Sequence, residues 1–167
     1  MSAGEVINAG KFAWEILKDN RPVVTDASGG FANAIPKDVT WDQLSSTQGV
    51  NRFDWTWLGP GLIFKDFEFD MRVNWAYGAR YRGGGAYITN CWVEVRNDDV
   101  GVGGYHIDVI ARAGNPQNVG TETAPIAELP LSVTLKYSNW LWGWSGTCSF
   151  LVRGNGAGHA EYSDNTE

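Results

Sequence analysis

The residues suited to acid–base, nucleophilic or metal chemistry are few in this 167-residue chain, and their spacing works against each of these uses. His106 falls on the polar side of a strand pattern and His159 in a polar tail, with no second ligand at zinc-like spacing. Cys91 and Cys148 lie in apolar strand contexts and neither begins a C-x-x-C. Two isolated buried thiols are expected, because a disulfide needs a geometry that spacing alone does not supply. Asp66, Glu68 and Asp70 share one strand face like a glycosidase carboxylate pair, but a solvated face opposite Arg52 and Lys65 accounts for them better. Asn97-Asp98-Asp99 offers oxygen ligands for calcium, yet reads first as a turn with like charges. Gly83-Gly84-Gly85 and Arg153-Gly154-Asn155-Gly156 lack the strand-to-helix setting of a phosphate loop, and no G-x-S-x-G elbow exists. The expectation is a protein that is no enzyme, with no metal and no cofactor.

Aromatic rings carry the remaining chemistry, and they gather at two predicted turns. The run Tyr137-Ser138-Asn139-Trp140-Leu141-Trp142-Gly143-Trp144 crosses a strand end, and Trp75, Tyr77, Tyr81 and Tyr87 surround a glycine-rich turn at Gly78–Gly85. Rings at a loop tip sit well in a membrane interface, stack on a sugar, or cage a quaternary ammonium such as that of a phosphocholine head group. Packing into the core is the competing use. Trp140, Trp142 and Trp144 share one parity beside Gly143 and Gly146, so a local strand presents all three on one face.

The elements that must position these rings read as strands after an N-terminal helix. Ser2-Ala3-Gly4-Glu5 has the form of a capping box. At helical spacing Ala3, Val6, Ile7, Gly10, Ala13, Trp14 and Leu17 fall on one face, opposite a wedge holding Lys11, Glu15 and Lys18. Lys11 and Glu15 stand four apart and can pair. Ala9, Phe12 and Ile16 form a second apolar patch, more than a surface helix needs. Asn20-Arg21-Pro22 ends the segment. Its roughly 17 residues would extend about 25 Å, a little short of a hydrocarbon core of ~30 Å. From Val50 the period becomes two, with strands predicted at Phe53–Trp57, Phe67–Tyr77, Tyr87–Arg96, Tyr105–Arg112, Leu131–Tyr137 and Thr147–Arg153. Loops are expected at Asn97–Gly104 and Gly114–Pro130, a short strand at Val23–Thr25, and a helical turn near Trp41 to Leu44.

Twenty-one glycines and nine tryptophans accord with β structure rich in tight turns, and the length suits one domain. A net charge of -6 with no basic stripe argues against nucleic acid and against attraction to anionic lipid. No apolar run is long enough for a constitutive membrane-spanning helix, and charged residues interrupt the first apolar stretch where a secretory signal would need continuity.

The segment Ala3-Gly4-Glu5-Val6-Ile7-Asn8-Ala9-Gly10-Lys11-Phe12-Ala13-Trp14-Glu15-Ile16-Leu17-Lys18 resembles the N-terminal helix of the actinoporins, pore-forming cytolysins of sea anemones. Tyr137-Ser138-Asn139-Trp140 is similar to a tetrapeptide of their phosphocholine-binding loop, although there it falls mid-chain. Members are typically basic and cysteine-free, whereas this chain is acidic with two cysteines, and Arg153-Gly154-Asn155 only approximates their Arg-Gly-Asp element. The resemblance implies a β-sandwich whose first helix detaches and inserts to line an oligomeric pore.

The resulting expectation is a mainly β, single-domain β-sandwich with one amphipathic helix packed on a sheet. Residues 1–21 form the helix, 22–153 the sandwich and 154–167 a flexible tail. The protein is expected to be secreted or released in soluble form, to bind a lipid membrane through phosphocholine head groups, and to self-associate. Trp75, Tyr77, Tyr81, Tyr137, Trp140, Trp142 and Trp144 would seat head groups; Val6, Ile7, Phe12, Trp14, Ile16 and Leu17 would enter lipid; Lys11, Glu15 and Lys18 would face pore water. The alternatives are a lectin-like glycan-binding module and a self-assembling structural protein.

Overall fold

Alternation of apolar and polar side chains is realised as strand almost wherever it occurs. A computed structural model describes residues 5–18, 21–22, 30–58, 67–100, 105–141 and 143–165. The strands in chain order are β1 (Val6–Ile7), β2 (Ala13–Lys18), β3 (Arg21–Pro22), β4 (Ala32–Pro36), β5 (Gly49–Leu58), β6 (Phe67–Tyr81), β7 (Gly84–Val100), β8 (Tyr105–Ala113), β9 (Gln117–Asn118), β10 (Ala127–Asn139), β11 (Gly143–Arg153) and β12 (Gly158–Asn165). They form two sheets with antiparallel pairing, ordered β1-β4-β7-β6-β5 and β12-β11-β10-β8-β2-β3, with β9 alongside β10. A 3-10 turn at Trp41–Gln43 stands where a helical turn is predicted.

The sheets meet through their inward rows. On β10, Leu129, Leu131, Val133, Leu135 and Tyr137 are buried, while Pro130, Ser132, Thr134 and Lys136 face outward. β8 contributes Ile107, Val109 and Ala111, and β6 contributes Phe69, Met71, Val73 and Trp75. Aromatic rings join the layers: Phe53 stacks on Trp75 at 5.2 Å and on Phe150 at 5.7 Å, and Trp55 meets Phe150 at 5.1 Å. The β6–β7 hairpin closes in two residues, with Tyr81 opposite Gly84 and positive φ at Arg82 (50°) and Gly83 (77°). That is the I′ geometry matching the twist of a hairpin.

One buried charge holds the start of β10. Glu128 is 3 % exposed, accepts from Arg153 Nε at 2.7 Å and from Gln117 Nε2 at 2.8 Å, and so ties β9 and β11 to β10. Burial opposes its ionisation, yet these two donors hold its carboxyl below the usual carboxylate range. Cys91 and Cys148 are buried and form no disulfide, and burial pushes the Cys91 thiol up to about 12.

Three expectations are corrected. The described part of the N-terminal segment is extended, and no α-helix occurs among the described residues. Val6 and Ile7 pair with Pro36 and Ile35, and Ala13 to Leu17 pair along β8. The cause is tertiary. Trp14 and Ile16 alternate with Glu15 and share the buried face of a strand, so Ile16 belongs to the core and is no surplus patch. Asn8 Oδ1 accepts from the backbone of Gly10 and Asn33, fixing the link between β1 and β2 to β4. On this segment Glu15 pairs with Lys18 at 3.4 Å, and Glu5 with Lys37 at 3.1 Å. Next, the tail expected to fray instead includes β12, paired with β11 from Val152↔Gly158 to Ser145↔Asn165. Finally, β7 continues through Asn97-Asp98-Asp99 to Val100, where a loop is predicted. The predicted Val23–Thr25 strand lies outside the described residues.

Deleting residues 1–18 should therefore abolish the cooperative thermal transition or lower its midpoint by more than 10 °C, read by circular dichroism. It removes a strand of each sheet and roughly 3–6 kcal/mol of burial from Trp14 and Ile16 alone. Glu128 adds a pH dependence. Its folded pKa lies below the unfolded value, so the stabilisation is complete above that unfolded value and is lost as pH falls through the folded one. Glu128→Gln should cost about 1–3 kcal/mol at pH 7. Between about pH 5 and pH 3 the variant's melting temperature should fall less than that of the parent.

Candidate functional site

The β10–β11 hairpin projects the most exposed large apolar side chains of the described chain. Tyr137 stands opposite Trp144 and Ser138 opposite Gly143, leaving residues 139–142 as the connection. Asn139 shapes it: its Oδ1 accepts from the Leu141 backbone N–H at 2.8 Å, an Asx turn, while its Nδ2 donates to the Tyr137 hydroxyl at 3.2 Å. With those polar groups satisfied internally, Trp140 is 85 % exposed and Leu141 67 % exposed. Trp142 lies outside the described residues.

Below the tip the rings turn inward and hold it. Tyr137 is buried against Tyr105, with centroids 5.5 Å apart. Trp144 is half-buried and meets Trp57 edge-to-face at 5.8 Å. Gly146 permits this contact, because a Cβ there would fall 2.4 Å from the Trp57 ring. On the outer face, Asp108, Lys136 and Ser145 stand opposite one another across β8, β10 and β11. With Ser138 and Trp144 they line an open hollow of about 540 Å³. The end of the sandwich thus offers two exposed apolar side chains above a row of anion, cation and hydroxyl.

The other rings proposed to seat head groups do not converge on this tip. Trp75 is core, 2 % exposed. Tyr77 is half-buried over Gly49 and Gly156. Tyr81 lies at the β6–β7 turn, with the Arg82 guanidinium 5.1 Å from its ring centroid. That turn belongs to the opposite end, because Ala86 bridges Ile126 just before β10 begins. The tip follows 13 strand residues later, roughly 40 Å away at ~3.3 Å per residue. Of the rings sharing one parity, Trp140 is exposed and Trp144 half-buried, because the bend at Trp140 and Leu141 interrupts the strand on which parity depends.

The residues assigned to membrane insertion are mostly structural. Val6, Trp14 and Ile16 are buried, Ile7 is half-buried, Leu17 pairs with Val109 and Pro22, and Phe12 is exposed. Lys11, Glu15 and Lys18 are exposed as expected of polar positions, though on an extended segment. Among the described residues no group of three or more His, Cys, Asp and Glu could hold a metal ion. Asp70 accepts from Thr56 Oγ1 at 2.7 Å within the polar face of β5 and β6, and His159 pairs with Glu161 at 3.2 Å. Leu141 is the residue that motif reading missed. Its signal was an aliphatic side chain inside an Asn-Trp-Leu-Trp-Gly turn, where polar residues are usual.

Comparison with protein-family models, with curated proteins and with solved structures finds no match to this chain.

Exposed side chains that touch little can be changed without loss of fold. Trp140→Ser with Leu141→Ser should leave the melting temperature within about 2 °C of the parent, as surface changes usually stay within ~0.5 kcal/mol. Trp57→Ala, which opens a hole in the seam beneath, should cost about 3–5 kcal/mol.

Proposed function

We propose that this protein binds membrane surfaces, docking on zwitterionic bilayers through the Trp140–Leu141 tip. The observation that carries the reading is the pairing of an exposed indole with an exposed leucine on a turn that the Asn139 side chain braces from within. Leucine has no ring to stack on a sugar, whereas both side chains gain by leaving water for the interfacial and acyl regions of a bilayer. Each fully buried chain contributes about 1.5–3 kcal/mol, so one tip supports reversible docking. A net charge of -6 gives no attraction to anionic lipid, so affinity rests on apolar burial and on what the Asp108–Lys136 row offers a zwitterionic head group. The protein then works in two settings, first in solution after secretion or release and then at a target membrane.

Pore formation by the N-terminal segment is a further step in this reading. A helix over residues 2–19 would belong to a membrane-bound state reached only after β2 leaves β8. The bilayer would bury Trp14 and Ile16 as the core does, so the net cost is the β2–β8 pairing and the opened core.

A second reading, glycan binding, draws on the open hollow under the tip, whose lining includes Asp108, Lys136, Ser138, Trp144 and Ser145. Leu141 separates the two. Leu141→Ser should weaken binding to phosphatidylcholine vesicles by roughly threefold or more, and Trp140→Ser with Leu141→Ser by at least about tenfold. Salt between about 50 and 500 mM should change the parent's affinity by less than about twofold, because no long-range charge attraction is at work. Vesicle affinity unchanged in the double variant would overturn the membrane reading. Retained binding on a glycan array would then favour the lectin.

A further inference from the structure

The first sheet ends on a long strand with nothing paired beyond it among the described residues. β5 pairs residue for residue with β6 from Gly49↔Tyr77 to Leu58↔Glu68 without a register shift, and β6 covers only one of its edges. The opposite margin of the same sheet, β1, is only two residues long. Proteins usually blunt such an edge by brevity, a proline, a bulge or a lysine. β5 has ten residues and none of these devices. Its only charges are Arg52 and Asp54, and they alternate with the inward rings Phe53, Trp55 and Trp57.

We propose that β5 is a self-pairing edge through which two copies of this chain join as an antiparallel dimer centred on Phe53. In an antiparallel pair of identical strands, the residue numbers facing each other have a constant sum, so charge placement selects the register. Centring on Arg52 sets guanidinium against guanidinium, and centring on Asp54 sets carboxylate against carboxylate. Centring on Phe53 sets Arg52 of each copy opposite Asp54 of the other, twice by symmetry. In the same register Val50 faces Thr56 on the outer side, Phe53 faces its own copy, and the bulky Trp55 and Trp57 face the smaller Asn51 and Gly49.

Arg52 is available for this exchange. Its side chain is 62 % exposed and reaches Asp54 of its own strand only at 3.7 Å. Arg72 already grips Asp54 through both carboxylate oxygens and holds it ionised, ready for a second cation. Residues 49–57 would overlap over roughly 30 Å at ~3.4 Å per residue, an interface of the weak, reversible class. The two-fold axis runs perpendicular to the sheet, so the two Trp140 tips point to opposite ends and do not enter one bilayer together. The proposal is independent of membrane binding, and its test contains no lipid.

Sedimentation velocity of the full chain at tens to hundreds of micromolar should show a concentration-dependent rise in mass from 18.3 kDa toward twice that value. Arg52→Asp and Asp54→Lys should each weaken association at least tenfold. An equimolar mixture of the two should dimerise again, because every charged position then faces its opposite. Arg52→Lys should dimerise like the parent, and against Arg52→Asp it carries the test alone if Asp54→Lys fails to fold by circular dichroism. A parent that stays monomeric at several hundred micromolar would overturn the proposal. So would an Arg52→Asp variant that dimerises undiminished, or two folded variants that do not recover when mixed.

Discussion

Contact between the sheets along the aromatic seam of β5 sets the rest of the molecule. Phe53 lies between Trp75 of its own sheet and Phe150 of the other, Trp55 leans on the same Phe150, and Trp57 meets Trp144 near the end. Large rings cover much apolar area per residue, and offset or edge-on contacts add about 0.5–1.5 kcal/mol per pair beyond that area. The seam fixes the separation and alignment of the two layers. It also anchors the base of the β10–β11 hairpin, since Trp144 and Tyr137 face each other across the two strands just before the chain turns. A tip that keeps Trp140 and Leu141 in water needs that rigid base, because a loosely held turn would fold its apolar side chains back onto the protein.

Much of the sandwich was legible in the sequence, because half-buried strands write their burial as alternation. β6, β8 and β10 show this most clearly: Phe69, Met71, Val73 and Trp75, then Ile107, Val109 and Ala111, then Leu131, Val133 and Leu135 all face inward. The N-terminal segment was not legible. Small and apolar residues there satisfy a helical face and a strand face alike, and partners far along the chain decide between them: β8 for Trp14 and Ile16, β4 for Val6 and Asn8. Local propensity loses when a strand completes a sheet that would otherwise leave an open face.

The aromatic site was half legible. Composition marks the Tyr137–Trp144 run as unusual, and its exposed part falls there. Ring type says nothing about burial, however, so Trp75 and Tyr137 carried the same signal as Trp140 and proved to be core. Nor does parity survive a turn. Trp140 and Trp144 have the same parity yet differ in exposure, because the Asn139 turn lies between them and reverses the chain.

The central claim is that the hairpin tip docks on the membrane first, with the N-terminal strand still in its sheet, and that any release of β2 comes as a later step than this docking. Hydrogen–deuterium exchange on protein bound to phosphatidylcholine vesicles, set against free protein, tests both halves at once. The account predicts slower exchange at residues 139–141 on binding, with residues 13–18 protected equally in the two states. Faster exchange at 13–18 with no change at 139–141 would contradict it, showing that the N-terminal segment leaves the sheet and that the tip is a bystander.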